Sequence, residues 1–250
     1  INIMQDSSIN AIQKTKVAII GAGFGGLAMA IRLLQNNIHD FVILEKAKDV
    51  GGTWRENQYP GAACDVQSHM YSLSFAPKTN WSKRYAEAGE IFSYIQDITE
   101  QFQLRKYCQF EHEVTRAEYD EGRCIWTLSF KEHAPFEAQF VIFASGPLHI
   151  PQIPHIKGIE NFQGKVFHSS EWDHHYDLTG KNVASIGTGG SAIQYIPEIA
   201  KQVKQLYVFQ RTAAWVIPRD ERQYSHLSKL LFKKSNIYRQ VHRTRLYWSC

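Results

Sequence analysis

The chain has 250 residues, 44% of them hydrophobic and 21% charged, a composition typical of one large or two small globular cores. Its formal net charge of +4 is concentrated in the last 50 residues, where 11 basic residues outnumber 2 acidic ones, and we attribute this to a solvated face near an anionic ligand rather than to nucleic-acid or membrane binding. Because the apolar stretches are too short to cross a bilayer and residues 1–16 are polar, neither a membrane anchor nor a signal segment is predicted, and we expect a cytoplasmic protein.

The first predicted element is an apolar strand at residues 17–20, which runs directly into a glycine-rich turn. Gly21, Gly23 and Gly26 give this turn the spacing GxGxxG. The predicted helix that follows has four apolar residues on one face: Leu27, Ala30, Ile31 and Leu34. A second apolar strand at residues 41–44 ends at Glu45. Such glycines permit a tight turn, close approach of the backbone to a pyrophosphate, and close helix–strand packing, so this first copy predicts a dinucleotide site.

The same pattern occurs again from residue 182, as a strand, a turn, a helix and a strand that ends near Arg211. The turn of this second copy consists of Gly187, Thr188, Gly189, Gly190, Ser191 and Ala192. Ala192 stands where the third glycine would be. Pro197 lies inside the predicted helix, where we expect a bend rather than a break. Two unrelated turns are the alternative, but each turn lies between a strand and a helix, as the binding mechanism requires.

The residue at the end of each second strand predicts which nucleotide each copy binds. Counting 24 residues from the first glycine gives Glu45 in the first copy and Arg211 in the second. A carboxylate accepts hydrogen bonds from both ribose hydroxyls and repels a 2′-phosphate, whereas an arginine pairs with that phosphate. The first copy therefore suits FAD or NAD and the second suits NADPH, with Thr212 as a further donor. The alternative is that Arg211 is a surface arginine that caps a strand.

These copies predict an α/β fold with two Rossmann-like dinucleotide-binding domains, each a three-layer arrangement around a mostly parallel sheet. We expect an FAD-binding domain at residues 1–150, and a linker with an incomplete NADP-binding domain at residues 151–250. The four cysteines form no CxxC pair and no cluster with histidines, so a metal site is not expected and a disulfide reductase is disfavoured. Residues 226–250 are basic and aromatic, and we favour a helix that packs on the NADP domain over one that contacts a membrane.

The segments around the two copies carry a resemblance to a known family. Gly51–Gly52–Thr53–Trp54, Tyr59–Pro60–Gly61 and Cys64–Asp65 occur in an order that resembles class B flavoprotein monooxygenases, especially the type I Baeyer–Villiger monooxygenases. The linker resembles the fingerprint FxGxxxHxxxW followed by Pro or Asp, through Phe162, Gly164, His168, Trp172 and Asp173. The related N- and S-oxygenating enzymes place Tyr or Phe where this chain has Trp172.

This resemblance implies an enzyme that uses FAD and NADPH to insert one atom of O2 next to a ketone carbonyl, which yields an ester or lactone. O2 and a small ketone would be its partners, and no nucleic acid is expected. The alternatives are a heteroatom-oxygenating flavin monooxygenase and, in another class, an inactive truncated cofactor-binding or interaction module. Family members are roughly twice this length. We therefore expect the chain, which starts at Ile1 and stops at Cys250, to be a fragment that lacks part of both cofactor sites and most of the substrate pocket. The ketone and the oligomeric state are not predicted.

The resemblance also implies which residues form the sites. Those expected at FAD are Gly21, Gly23, Gly26, Glu45, Thr53, Trp54, Asp65, Tyr71 and Val114. Those expected at NADP are Thr188, Gly189, Gly190, Ser191, Ala192, Gln194, Arg211 and Thr212. Asp65 would support a catalytic arginine placed beyond Cys250, unless it is only a turn residue. His168 and Trp172 would have a conformational role, and their alternatives are a satisfied structural histidine and a core aromatic.

Overall fold

The computed structural model describes residues 12–249, and its contacts divide the chain into two compact units. The first unit comprises residues 12–53 and 95–149, and the second comprises residues 54–94 and 150–249. A division near residue 150 was expected, but residues 54–94 were expected in the first domain and instead group with the second. The predictions that involve residues 1–11 and Cys250 lie outside the described residues.

The first unit contains a six-stranded mixed sheet. Its strands are β1 (Gln13–Ile20), β2 (Phe41–Leu44), β3 (Cys108–Gln109), β4 (Arg116–Asp120), β5 (Ile125–Ser129) and β6 (Phe136–Phe143). Their order is β3-β2-β1-β6-β5-β4. The β1–β2, β1–β6 and β2–β3 pairs are parallel, whereas β4–β5 and β5–β6 are antiparallel. The α/β fold class is therefore confirmed, with a parallel half that carries the first glycine-rich turn and an antiparallel edge.

Helix α1 (Phe24–Gln35) connects β1 to β2 and packs through the face that the periodicity predicted. Gly26, Leu27, Ala30 and Ile31 are buried, and Leu34 is half-buried. The apolar residues near the end of β1 and along β2 are also buried. Ile19 and Ile43 expose none of their surface. Two further helices, α2 (Thr53–Glu56) and α3 (Ala88–Gln101), contain the positions where the chain changes unit.

The second unit contains two parallel strands, β7 (Asn182–Ile186) and β8 (Gln205–Phe209), joined through α4 (Ala192–Ile199). Helix α4 is not broken at Pro197, as expected, but it ends two residues later and has 8 residues where α1 has 12. A proline supplies no N–H to the helix, which agrees with this early end. The sheet is smaller than that of the first unit, consistent with the incomplete second domain that was predicted.

The C-terminal segment forms two helices, α5 (His226–Lys234) and α6 (Asn236–Tyr247), which pack onto residues 69–72 of the same unit. Phe232 is 1% exposed and stacks on His69 with ring centroids 3.7 Å apart. The Arg243 guanidinium donates to the Ser72 hydroxyl at 3.1 Å and to the carbonyl of His69. Burial, with His242 and Arg243 nearby, lowers the pKa of His69 to about 3, so its ring is neutral near pH 7. Among residues 12–249 no helix is long and apolar enough to cross a membrane.

Candidate dinucleotide-binding sites

The first glycine-rich turn is shaped by contacts that only glycine permits. Gly21 has φ of +105°, and its N–H donates to the carbonyl of Leu44 at 2.8 Å. A Cβ at Gly21 would lie 2.6 Å from the carbonyl oxygen of Ala144. Positive φ and this close approach of two backbones both exclude larger residues. The turn is therefore held against the ends of β2 and β6.

Gly26 brings the start of α1 against β1. A Cβ there would lie 1.9 Å from the carbonyl oxygen of Gly21 and 3.3 Å from Cγ2 of Ile19. At Gly23, by contrast, an added Cβ would meet only Cα of Gly52, at 3.8 Å. The third glycine thus serves close packing, while the second leaves the backbone accessible. This is the division of roles expected of a turn that receives a pyrophosphate at a helix N-terminus.

Glu45 is 4% exposed, and its carboxylate holds the turn from the end of β2. Oε2 accepts from the N–H of Ala22 at 2.8 Å, and Oε1 accepts from the N–H of Ala47 at 3.0 Å. A carboxylate has about four acceptor positions, so one such group can hold several N–H or O–H donors at once. The ribose contact stays a prediction. The role in holding Ala22 is one that sequence reasoning missed.

Other residues predicted at FAD lie near the same end of the sheet within the first unit. The N–H of Glu45 donates to Gln109 at 3.0 Å, and the carbonyl of Glu45 accepts from the N–H of His112 at 2.9 Å. Val114, two residues later, packs against the apolar cluster that contains Leu44. Thr53 is exposed at the first residue of α2. The first unit therefore gathers the glycines, Glu45 and Val114, and their contact with the ADP moiety of FAD stays a prediction.

The remaining residues predicted at FAD belong to the second unit. Nε1 of Trp54 donates to the hydroxyl of Tyr71 at 3.1 Å, and their rings meet edge-on with centroids 5.4 Å apart. Burial raises the pKa of Tyr71, so its phenol stays protonated. Asp65 is exposed, and burial raises the pKa of the adjacent Cys64 to about 11. Cys64 is therefore a protonated thiol at neutral pH.

The second glycine-rich turn repeats the backbone arrangement of the first. Gly187 has φ of +101°, and its N–H donates to the carbonyl of Phe209 at 2.9 Å. A Cβ added at Gly189 or Gly190 would meet nothing within 4 Å among the residues that the structure describes. Ala192 is buried at the start of α4, where a third glycine would pack. The turn is open on its outer side and can receive a ligand.

The register of the second copy corrects the position assigned to Arg211. Ile20 pairs with Leu44 in the first copy, but Ile186 pairs with Phe209 in the second, one residue sooner. The structural counterpart of Glu45 is therefore Gln210, and the premise that Glu45 and Arg211 share one register is wrong. The connection through α4 is a residue shorter than that through α1. Arg211 and Thr212 lie beyond this position and are exposed, and their contact with a 2′-phosphate stays a prediction.

Gln194 makes contacts other than those predicted for it. Its Oε1 accepts from the N–H of Ala63 at 2.9 Å, and its Nε2 donates to the carbonyl of Ala63 at 3.2 Å. The Tyr59 hydroxyl donates to the same Oε1 at 3.5 Å. A Cβ at Gly61 would lie 2.8 Å from the backbone oxygen of Gln194, so residues 59–63 approach α4 closely. Both polar atoms of the Gln194 side chain therefore bond the backbone of Ala63, two residues before Asp65.

Replacing Gln194 with alanine should release the backbone of Ala63. We expect the amide hydrogen of Ala63 to exchange about tenfold faster or more, because its acceptor is lost and a buried amide depends on that bond. Hydrogen–deuterium exchange of the peptides that cover residues 59–66 measures this. Gln202→Ala, which removes an exposed amide just after α4, is the matched control and should leave that exchange unchanged. Unaltered exchange in Gln194→Ala would contradict the assigned contact.

The fingerprint residues make structural contacts within the second unit. Nδ1 of His168 accepts from the N–H of Ser170 at 3.2 Å and so caps the 3₁₀ turn Ser169–Glu171. Trp172 lies against Tyr195 of α4, with ring centroids 5.3 Å apart, and packs on the cluster that contains Tyr59. Asp173 pairs with Lys165 at 2.8 Å, which lowers the pKa of its carboxyl. These contacts support the predicted conformational role, which stays a prediction. Among the described residues no group of His, Cys, Asp and Glu could hold a metal ion.

Comparison with known proteins finds one consistent group. A family model described as flavin-binding monooxygenase-like matches residues 14–246. A Baeyer-Villiger monooxygenase of Streptomyces coelicolor (strain ATCC BAA-471 / A3(2) / M145) is 47% identical over 221 residues, which cover 88% of this chain and 42% of that protein. An oxidized steroid monooxygenase bound to NADP is 37% identical with a TM-score of 0.81, over 89% of this chain and 44% of that one. OTEMO in complex with FAD and NADP is 33% identical with a TM-score of 0.80, over 88% and 44%. The chain spans less than half the length of these proteins.

Proposed function

Because the chain belongs to the flavin-binding monooxygenase-like family, we propose that the protein is an FAD-containing, NADPH-dependent monooxygenase. It inserts one oxygen atom of O2 next to the carbonyl of a ketone and yields an ester or lactone. The observation that carries this proposal is the pair of glycine-rich turns. The buried carboxylate of Glu45 bonds one turn, and the neutral Gln210, which Arg211 follows in the chain, bonds the other. Two dinucleotide sites of different charge in one chain suit electron transfer from NADPH to a flavin.

The first unit fits FAD. Gly21 and Gly26 form a backbone cradle that a Cβ would fill, and Gly23 is open beside the N-terminus of α1. Phosphates bind favourably at such a terminus because its N–H groups and its dipole are positive. Glu45 would accept hydrogen bonds from the ribose, and Val114 would lie at the adenine. When bound and reduced, FAD supplies the chemistry that activates O2.

The second unit fits NADPH by the same reasoning. Residues 188–192 would wrap the pyrophosphate at the N-terminus of α4. The Arg211 guanidinium would pair with the 2′-phosphate through charge-assisted hydrogen bonds, and the Thr212 hydroxyl would donate to it. Gln194, also predicted at the pyrophosphate, would hold the backbone of Ala63 through its side-chain amide.

By family resemblance, the residues beside the flavin ring come from the segment 53–71, which follows α1 and β2. Thr53, Trp54, Asp65 and Tyr71 would lie along the flavin. The Asp65 carboxylate would orient a cationic group, for which the resemblance expects an arginine beyond Cys250. His168 and Trp172 would set the conformation of the linker. We further propose that the protein is cytoplasmic and that its partners are O2 and a small ketone.

The proposal is tested with the purified protein, a cyclic ketone and a thioether. We expect yellow protein with flavin absorbance, and NADPH consumption matched by formation of a lactone. If the protein forms only the sulfoxide of the thioether and no lactone, it is a heteroatom-oxygenating enzyme and the proposal is wrong. A colourless protein that does not oxidise NADPH would replace it with a non-catalytic module.

A further inference from the structure

Gln210 occupies in the second unit the position that Glu45 occupies in the first. In each copy the N–H of the first glycine donates to the last carbonyl of the second strand, from Gly21 to Leu44 and from Gly187 to Phe209. The strand registers agree, since Ile20 pairs with Leu44 and Ile186 pairs with Phe209. The next residue along the chain is Glu45 in one copy and Gln210 in the other.

The two side chains also reach the same part of their turns. Oε2 of Glu45 accepts from the N–H of Ala22, the residue after the first glycine, at 2.8 Å. Nε2 of Gln210 donates to the hydroxyl of Thr188, again the residue after the first glycine, at 3.1 Å. Strand register and side-chain contact are separate observations, and they give the same correspondence. Gln210 therefore stands where a ribose-binding residue stands in a dinucleotide site.

The chemistry of this position decides which nucleotide is accepted. A carboxylate there bonds the 2′- and 3′-hydroxyls of a ribose, and it repels a 2′-phosphate because both groups are negative. The amide of Gln210 is neutral and can both donate and accept. It leaves Arg211, the next residue, as the charged group at the end of β8. Without an acid at this position, the end of β8 combines a neutral side chain with a cation.

We propose that Gln210 is a specificity-determining residue that lets the second unit accept a 2′-phosphorylated nucleotide by keeping this position uncharged. Selectivity for NADP⁺ over NAD⁺ then has two parts. Arg211 attracts the 2′-phosphate, and the neutral Gln210 does not repel it. The proposal rests on the use of NADPH in the proposed function. It adds a residue that was absent from the predicted set, because counting from the glycines passes over it.

The test compares equilibrium binding of NADP⁺ and NAD⁺ by calorimetry on the flavin-loaded protein, so that turnover plays no part. In Gln210→Glu we expect the Kd for NADP⁺ to rise about tenfold or more, because a like charge is placed beside the phosphate. The Kd for NAD⁺ should change by less than about threefold, since the new carboxylate bonds ribose hydroxyls as Glu45 would. The ratio of the two dissociation constants is the quantity that a merely structural role would not move.

Two matched variants separate charge from other effects. Gln210→Ala removes the bond to Thr188 without adding charge, and it should change both dissociation constants alike and by less than about threefold. Gln205→Glu adds the same charge at the exposed start of β8 and should leave selectivity as it is. Equal weakening of both nucleotides in Gln210→Glu, or an equal loss of selectivity in Gln205→Glu, would overturn the proposal. A wild-type protein that binds NADP⁺ no better than NAD⁺ would overturn the use of NADPH itself, and this inference with it.

Discussion

Replacing Gly26 with alanine should remove most of the flavin from the purified protein and lower its melting temperature by several degrees. The added Cβ would lie 1.9 Å from the carbonyl oxygen of Gly21, a backbone atom that cannot move without opening the turn. Ile19 on the other side is fully buried, so the helix cannot shift towards β1. Overpacking of this kind costs about 1–3 kcal/mol. Displacing the backbone of Gly21 would also distort the turn that is expected to bind the pyrophosphate.

Gly25→Ala is the matched control for Gly26→Ala, because the two positions are adjacent on α1. A Cβ at Gly25 would make ordinary contact with Cβ of Ala144 at 3.7 Å, and alanine is favoured over glycine in a helix by about 1 kcal/mol. This variant should melt at the same temperature as the wild type or higher. Thermal melting and the ratio of flavin to protein absorbance measure both effects. A Gly26→Ala variant with unchanged melting and full flavin content would disprove the packing argument.

Arg211→Ala should raise the KM for NADPH about 10- to 100-fold while changing the KM for NADH by little. Hydrogen bonds to charged groups contribute about 1.5–3 kcal/mol, which corresponds to this range. NADH has no 2′-phosphate to lose contact with. Since Arg211 is exposed on a surface segment, its removal leaves no buried group without a partner. The fold should therefore persist.

Steady-state kinetics with both nucleotides measure the effect of Arg211→Ala, with kcat and KM determined separately. Lys204→Ala removes another exposed cation of the second unit and controls for the general loss of positive charge. It should affect the two nucleotides alike and weakly. If Arg211→Ala raises both KM values equally, the assignment of a 2′-phosphate to Arg211 is wrong. Together with the variants at Gln210, this experiment separates two effects on the 2′-phosphate: attraction by Arg211 and the lack of repulsion at Gln210.

The strand–turn–helix–strand pattern of both copies was predictable because it depends on local chemistry. The strand at residues 41–44 and the strand at residues 182–186 have the predicted limits, since runs of apolar residues bounded by turns define them. Gly21 and Gly187 adopt the positive φ that a tight turn requires. The apolar face of α1 follows from the 3.6-residue period. Each of these features involves residues that are close in sequence.

The grouping of residues 54–94 with the second unit was not predictable in the same way. It depends on contacts such as that of Gln194 with Ala63, which are 131 residues apart. Side-chain hydrogen bonds over such separations leave no periodic signal in the sequence. Gly61 is a local sign of this grouping, since its backbone approaches α4 too closely for a Cβ.

The sequence by itself determined that two dinucleotide turns exist, which glycines shape them, and that an acid follows one second strand while a base lies near the end of the other. Only the tertiary structure decided which residue follows β8 at the position where Glu45 follows β2. Pairing of β8 with β7 sets that position, and the connection through α4 is one residue shorter than its counterpart. Motif spacing does not reveal a register shift of one residue. That shift nevertheless changes which side chain contacts the second turn. For this reason Gln210, and not Arg211, corresponds to Glu45.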